Sequence, residues 1–280
     1  MLYHYYKFTQ WMILMRMIAS LITIVVILFL QLAPAQANEI KRTIKIGYAN
    51  EWAPISVGDG KNIKGILPDL MDEIIDKNIG ITVEHIGLPW GRAQALVESG
   101  DIDGFITTPT KARLQYAIRS KENVIYIPFQ AFVKKNSVTE TKFKLSSSLN
   151  ELKNLNYCDV LGNGWAQSFY NKHNIKFDQV PSIDNCVKMM IAGRSDVIIH
   201  ASPVVQLFIK KLAVDGKVSI VSSPYPDSPS FPLLLSKKSS FKQDFLNKFD
   251  DAVSKMKGDQ IYTSLLNRLT DKNIDAFLTK

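Results

Sequence analysis

The chain has 280 residues, 46% of them hydrophobic and 21% charged, enough for one large domain or two smaller lobes. Its net charge of +8 is spread over scattered Lys and Arg, without a basic helix or stripe interleaved with aromatics. That argues against nucleic acid as a partner and leaves a mild positive field able to attract anionic solutes. The two cysteines, Cys158 and Cys186, match no zinc-ligand spacing.

Residues 1–37 contain Lys7 and Arg16 and no acid, and from Ile18 to Leu32 the sequence is almost wholly apolar. "LAPAQA" follows, with Ala35 and Ala37 in the small-x-small pattern of a signal-peptidase site. This order is that of an export leader, so the mature chain is expected to begin near Asn38. An uncleaved membrane anchor is the alternative. Residues 1–14 are unusual for the first segment of a leader, which makes Met15 or Met17 the alternative start. No cysteine lies near the cleavage site, which excludes a lipid anchor on Cys. An exported chain meets an oxidising compartment, so a Cys158–Cys186 disulfide is permitted. Two buried free thiols are nevertheless the expectation.

Beyond the leader, short apolar runs alternate with helical patterns. "IKIGYA" (44–49) reads as a strand. "PDLMDEIIDKNIG" reads as a helix with Pro68 in its first turn and Gly80 at its end. "ITVEHI" is a strand, "GRAQALVESG" a helix, "IDGFIT" a strand and "KARLQYAIR" a short helix. "VIYIPFQAFVKK" reads as one long apolar strand. The pattern then restarts with strand "NYCDVLG", helix "WAQSFYNKHN", strand "KFDQVPS", helix "IDNCVKMMIAG", strand "SDVIIHAS", helix "PVVQLFIKKLAVDG" and strand "VSIVSS". "PYPDSPSFP" (224–232) reads as a crossing loop. A strand, "LLLSKKS", follows. An amphipathic helix then carries Phe245, Phe249, Ala252, Val253 and Met256 on one face, and a last helix carries Ile261, Leu265 and Leu266.

Alternating βα units predict α/β lobes, each a mostly parallel sheet flanked by helices. The two runs suggest two lobes joined by two hinge crossings. The expected division is residues 38–130 with 228–280 as one lobe and 131–227 as the other. In such sheets ligands sit at the carboxyl ends of strands and against helix N-termini.

Four segments carry a resemblance. "GYANEWAPI…GKNIKGILPDLMDEI" has a strand, an aromatic shortly before Pro and a Gly leading into a helix. "GDIDGFITTPTKAR" has a Gly-x-x-Asp strand followed by Thr-x-x-Arg. "VLGNGWAQSF" is a Gly-rich turn into a helix, and "AGRSDVIIHASP" a Gly-Arg-x-Asp strand. In this order the chain resembles the periplasmic solute-binding proteins of family 3, the polar amino-acid-binding type with the two-lobed type II fold. The resemblance covers nearly all of the mature chain.

It implies a ligand between the lobes and a role for particular residues. Arg113 would take a carboxylate, for which a guanidinium fork is suited. Thr108 and Thr110 would add donors, or serve only the turn and N-cap. Trp52 and Trp90 would flank the ligand, with Trp90 as a core residue the alternative. The turn Gly162–Asn163–Gly164–Trp165 would offer backbone N–H groups to the same carboxylate. His200 and Ser202 would line the second lobe. One position departs from the pattern: the family's amine-pairing Asp, five residues after Asp196, is Ala201 here. Either another acid such as Glu51 replaces it or the ligand is not a standard α-amino acid.

The resulting expectation is a periplasmic, monomeric receptor that captures a small carboxylate-bearing solute, an amino acid or related organic acid. It would deliver that solute to an inner-membrane ABC permease, with no cofactor, no metal and no catalytic residue. A ligand-sensing adaptor for a membrane sensor, or a dehydratase-like enzyme using Glu51 or His200, are the alternatives.

Overall fold

The computed structural model describes residues 11–12, 15–17, 42–221 and 228–268. The expected cleavage site and most of the leader lie outside them, as do residues 224–227 of the loop expected at 224–232, whose last residues, Ser230–Pro232, are strand instead. Met1–Ile40 forms a unit of its own, in which the described residues are helical and exposed. Among the described residues no helix is long and apolar enough to cross a membrane.

From Lys41 onward the chain is a second unit built on two sheets. Its elements run β1 (Thr43–Ala49), β2 (Glu51–Trp52), β3 (Ser56–Val57), α1 (Ile66–Met71), β4 (Thr82–Leu88), α2 (Trp90–Ser99), β5 (Gly104–Ile106), α3 (Lys111–Tyr116) and β6 (Ala117–Tyr126). They continue with β7 (Phe129–Lys134), α4 (Val138–Leu145), α5 (Leu149–Leu152), β8 (Tyr157–Val160), α6 (Gly164–Lys172), β9 (Phe177–Val180), α7 (Ile183–Ile191), β10 (Val197–Ala201), α8 (Ser202–Lys211) and β11 (Val218–Val221). The chain closes with β12 (Ser230–Ser236), α9 (Gln243–Lys257) and α10 (Gln260–Asn267).

The first five-stranded sheet has the order β4-β1-β5-β12-β6 and the second β11-β7-β10-β8-β9. Each is evenly mixed rather than mostly parallel. β4, β1 and β5 run parallel, as do β10, β8 and β9, whereas β12 and β6, and β7 and β11, pair antiparallel. The physical reason is connectivity. A strand that enters a sheet from the other sheet carries no crossover helix to enforce parallel pairing.

The apolar run read as one strand is two. β6 ends in the first sheet and β7 begins in the second, with Ile127–Pro128 between them. Pro128 has no N–H for a ladder, which suits a break. The short hairpin of β2 and β3 and the helices α4 and α5 carry no strong periodicity and escape the sequence reading.

α1 starts two residues ahead of Pro68 and continues as a π-helical segment, Asp72–Lys77. Its N-cap, Gly65, has φ 131°, and a Cβ there would lie 2.5 Å from the Ile55 carbonyl oxygen, so only glycine fits. The largest core cluster joins Ile44, Ile46, Leu70 and Ile74 to Phe245, Phe249 and Val253 of α9, as the amphipathic pattern requires. In α10, Leu265 and Leu266 pack against this cluster, but Ile261 is exposed.

Cys158 and Cys186 are not free thiols. They form a disulfide, with Cα atoms 5.6 Å apart, that ties β8 to α7. The two residues face each other because α7 packs on the face of β8 that carries Cys158. A separation of 28 residues does not reveal that register.

Candidate functional site

A cavity of about 420 Å³ lies between the two sheets. Its walls come from the carboxyl ends of parallel strands. Asn50–Trp52 follow β1, Pro89–Gly91 follow β4, and Thr107 and Thr108 follow β5. From the other side come Leu161–Asn163 and Trp165 after β8, Pro181 and Ser182 after β9, and His200 on β10. Phe129 and Phe231, beside the crossings, close the end.

Arg113 is the chemical centre of the first wall. Its side chain is buried, 3% exposed. Nη1 donates to Thr107 Oγ1 (3.0 Å), Thr108 Oγ1 (2.7 Å) and the Thr108 carbonyl (3.0 Å). Nε and Nη2 both donate to Gln94 Oε1, at 3.1 and 3.0 Å. The guanidinium carbon lies 5.3 Å from the Trp90 ring centroid, and Trp90 itself packs edge-on against Phe105. Trp90 is therefore both a wall of the cavity and a core residue. Among the described residues no carboxylate forms an ion pair with Arg113. Burial pushes the guanidinium down to about 10, against a smaller upward pull from Tyr116. It remains charged at neutral pH.

Thr110 does not reach the cavity. It caps α3, its Oγ1 accepting from the Arg113 N–H at 3.3 Å, and so sets the start of the helix that carries Arg113. The expectation of a ligand donor there is replaced by the N-cap role. Gly164 likewise is not a cavity wall. It lies against the guanidinium: a Cβ at Gly164 would stand 3.0 Å from Arg113 Cζ and Nη2.

The N-terminus of α6 is less open to an anion than its sequence suggests. Asn163 Oδ1 already accepts from the N–H groups of Trp165 (3.1 Å) and Ala166 (3.3 Å). An Asn at the N-cap satisfies these donors itself. Trp165 does line the cavity, stacked on Phe169 and edge-on to Phe129.

His200 lies at the floor of the second wall, 4% exposed and stacked against Phe129. Its Nε2 accepts from Trp52 Nε1 of the first wall at 3.2 Å. Its Nδ1 lies 3.4 Å from Asp159 Oδ1. Asp159 is fully buried; Oδ1 also accepts from Val160 N (2.6 Å) and Asn163 Nδ2 (2.9 Å), while Oδ2 has no hydrogen-bond partner among the described residues. Ser202 is buried outside the cavity. Its hydroxyl bonds Gln130 and Gln206, and its N–H donates to the Pro128 carbonyl at 2.7 Å. It pins α8 to the crossing rather than facing a ligand. Ala201 is the buried N-cap of α8.

The sequence reading missed Gln94, Thr107, Phe129 and Phe231. Gln94 had a signal: it lies four residues after Trp90 on one helix, so the two share a face. Gln94 Nε2 also donates to the Gly162 carbonyl of the opposite wall at 3.2 Å. No cluster of potential metal ligands occurs among the described residues.

The family description "Bacterial extracellular solute-binding proteins, family 3" matches residues 44–272. The chain belongs to this family. The family 3 protein has its two-lobed type II fold, each sheet being the centre of one lobe and the cavity lying between them. No protein of curated function matches it in sequence. Solved structures resemble it in fold. An ancestral arginine-binding protein bound to glutamine is 21% identical, with TM-score 0.63, covering 81% of this chain and 97% of its own. AbpA from Streptococcus pneumoniae, an amino acid ABC transporter substrate-binding protein bound to L-arginine, is 17% identical, with TM-score 0.65, covering 86% and 98%. GshT of Streptococcus mutans, described with glutathione import and the cystine ABC importer TcyBC, is 16% identical, with TM-score 0.65, covering 84% and 96%.

Proposed function

We propose that this family 3 protein is an exported receptor that binds a small carboxylate-bearing solute between its lobes. The lobes close by hinge bending, and the closed form is presented to an inner-membrane ABC permease. The single observation behind this reading is Arg113. A buried guanidinium with neutral partners and no carboxylate is costly unless an anion completes it. Its charge faces the cavity wall shared by Thr107, Thr108 and Trp90. The fold neighbours bound to glutamine or arginine favour the same type of ligand group.

Binding rather than catalysis is the better reading. His200, the histidine in the cavity wall, has Nε2 taken up by Trp52 and Nδ1 turned to Asp159. The leader sequence supports a periplasmic protein released by cleavage near Ala37. A thermal-shift screen of amino acids and organic acids tests the proposal. A true ligand at 100 times its dissociation constant should stabilise the protein by about 2.7 kcal/mol. If no carboxylate shifts the melting temperature while cations or sugars do, the proposal is wrong.

A further inference from the structure

Resting on that reading, we infer that the preferred ligand is a carboxylate with an apolar or aromatic body and no ammonium group. The cavity surface is mainly apolar. Asn50, Asn163 and Ser182 add polar groups to Arg113, Thr107 and Thr108, but ring side chains from both walls form much of the lining. Trp52 and Phe231 lie 5.8 Å apart, Phe231 and Phe129 6.3 Å, and Phe129 and Trp165 4.7 Å, a continuous cluster contributed by both lobes. Such flat apolar faces exclude water and reward an apolar body.

No buried acid lines this interior. Glu51 is the acidic residue of the cavity wall, and it is exposed. Asp159 is fully buried and is not part of the wall; Asn163 and His200 stand against its Oδ1. His200 directs Nε2 to Trp52 rather than into the cavity. Ala201 supplies no charge and is itself buried. A monoanion neutralises the buried Arg113. A zwitterion adds a cation that must lose its water among the rings, with only the exposed Glu51 in the wall to offset it.

Matched pairs of probes test this by titration calorimetry on the protein purified from its exported form. Phenylpropanoate is compared with phenylalanine, indolepropionate with tryptophan, and isocaproate with leucine, each pair differing only in the amino group. A further pair, γ-butyrobetaine and its tert-butyl carbon isostere, asks whether the rings instead cage a quaternary cation. The expected result is that the amine-free member of at least one pair binds about tenfold tighter or more than its partner, and that the carbon isostere is not outbound by the betaine. Amino acids binding as tightly as, or tighter than, their amine-free partners overturn this inference and leave the carboxylate receptor intact. A tighter betaine does the same. If none of these carboxylates binds, the inference is overturned, while the proposed function stands or falls with the wider thermal-shift screen.

Discussion

Trp52 Nε1 donates to His200 Nε2 at 3.2 Å, and the two residues belong to opposite lobes. An indole N–H can only donate, so His200 Nε2 must be the unprotonated acceptor. The imidazole proton is then on Nδ1, on the side of Asp159 Oδ1. One hydrogen bond thus fixes a tautomer and joins the lobes.

Trp52→Phe keeps a ring in the wall but removes the donor, leaving His200 Nε2 without its cross-cleft partner. A neutral hydrogen bond is worth about 0.5–1.5 kcal/mol, so ligand affinity should fall about 2- to 10-fold. Calorimetry on the two proteins measures it. Unchanged affinity would show that the contact contributes nothing to closure.

Arg113→Met should abolish binding without harming the unliganded fold. Burial lowers the Arg113 pKa to about 10, so the charged form favours the unfolded chain. That penalty is fully present at neutral pH and is relieved as pH rises through about 10 towards the unfolded value. The apolar variant is expected to be as stable as the parent or up to about 2 kcal/mol more stable, because replacing a buried charge by a packed apolar group is often neutral or favourable. Denaturant titrations with and without ligand check both halves. A large loss of unliganded stability would mean that Arg113 mainly holds the first lobe together.

Gly164 allows close approach of α6 to the guanidinium. Its φ is not in the left-handed region, so Gly164→Ala is tolerated by the backbone, but its Cβ would press on Arg113 at 3.0 Å. The expected outcome is a several-fold loss of affinity for Ala and a larger one for Val, with melting temperatures close to the parent. Scattering profiles should show the Val variant more open in the presence of ligand.

Replacing both Cys158 and Cys186 by Ser removes the bond between β8 and α7. Loop-closure entropy for a 28-residue separation predicts a loss of about 3.6 kcal/mol, within the usual 2–4 kcal/mol. A thiol assay after denaturation should find no free thiol in the oxidised parent. If the double variant unfolds at the same denaturant concentration, the crosslink does not stabilise the fold.

Much of the fold was readable because period and punctuation agree. Strands such as Thr43–Ala49 alternate, and Gly65, Gly80 and Gly100 bound helices where the pattern changes. What local pattern could not show was which sheet a strand joins: nothing in "VIYIPFQAFVKK" except Pro128 marks the step between sheets. At the site, Trp52, Trp90, Thr108, Arg113, Trp165 and His200 meet at the cavity because each follows or ends a strand. Thr110 and Ser202 have the right chemistry but spend it on an N-cap and a crossing. Phe231 lies more than 100 residues along the chain from Arg113 and becomes its cavity neighbour only through the return of β12.

Gln94 has a polarity that the guanidinium dictates. Its carbonyl oxygen is held by two N–H groups of Arg113, so its amino group must point the other way, to the Gly162 carbonyl. The cation in one lobe thereby selects which end of a neutral amide the other lobe meets. Gln94→Glu exchanges one nitrogen for oxygen. It would quench the guanidinium with an internal counter-ion and offer Gly162 an acceptor in place of a donor. A change of almost no volume would thus both fill the anion's place and turn an adhesive edge into a repulsive one.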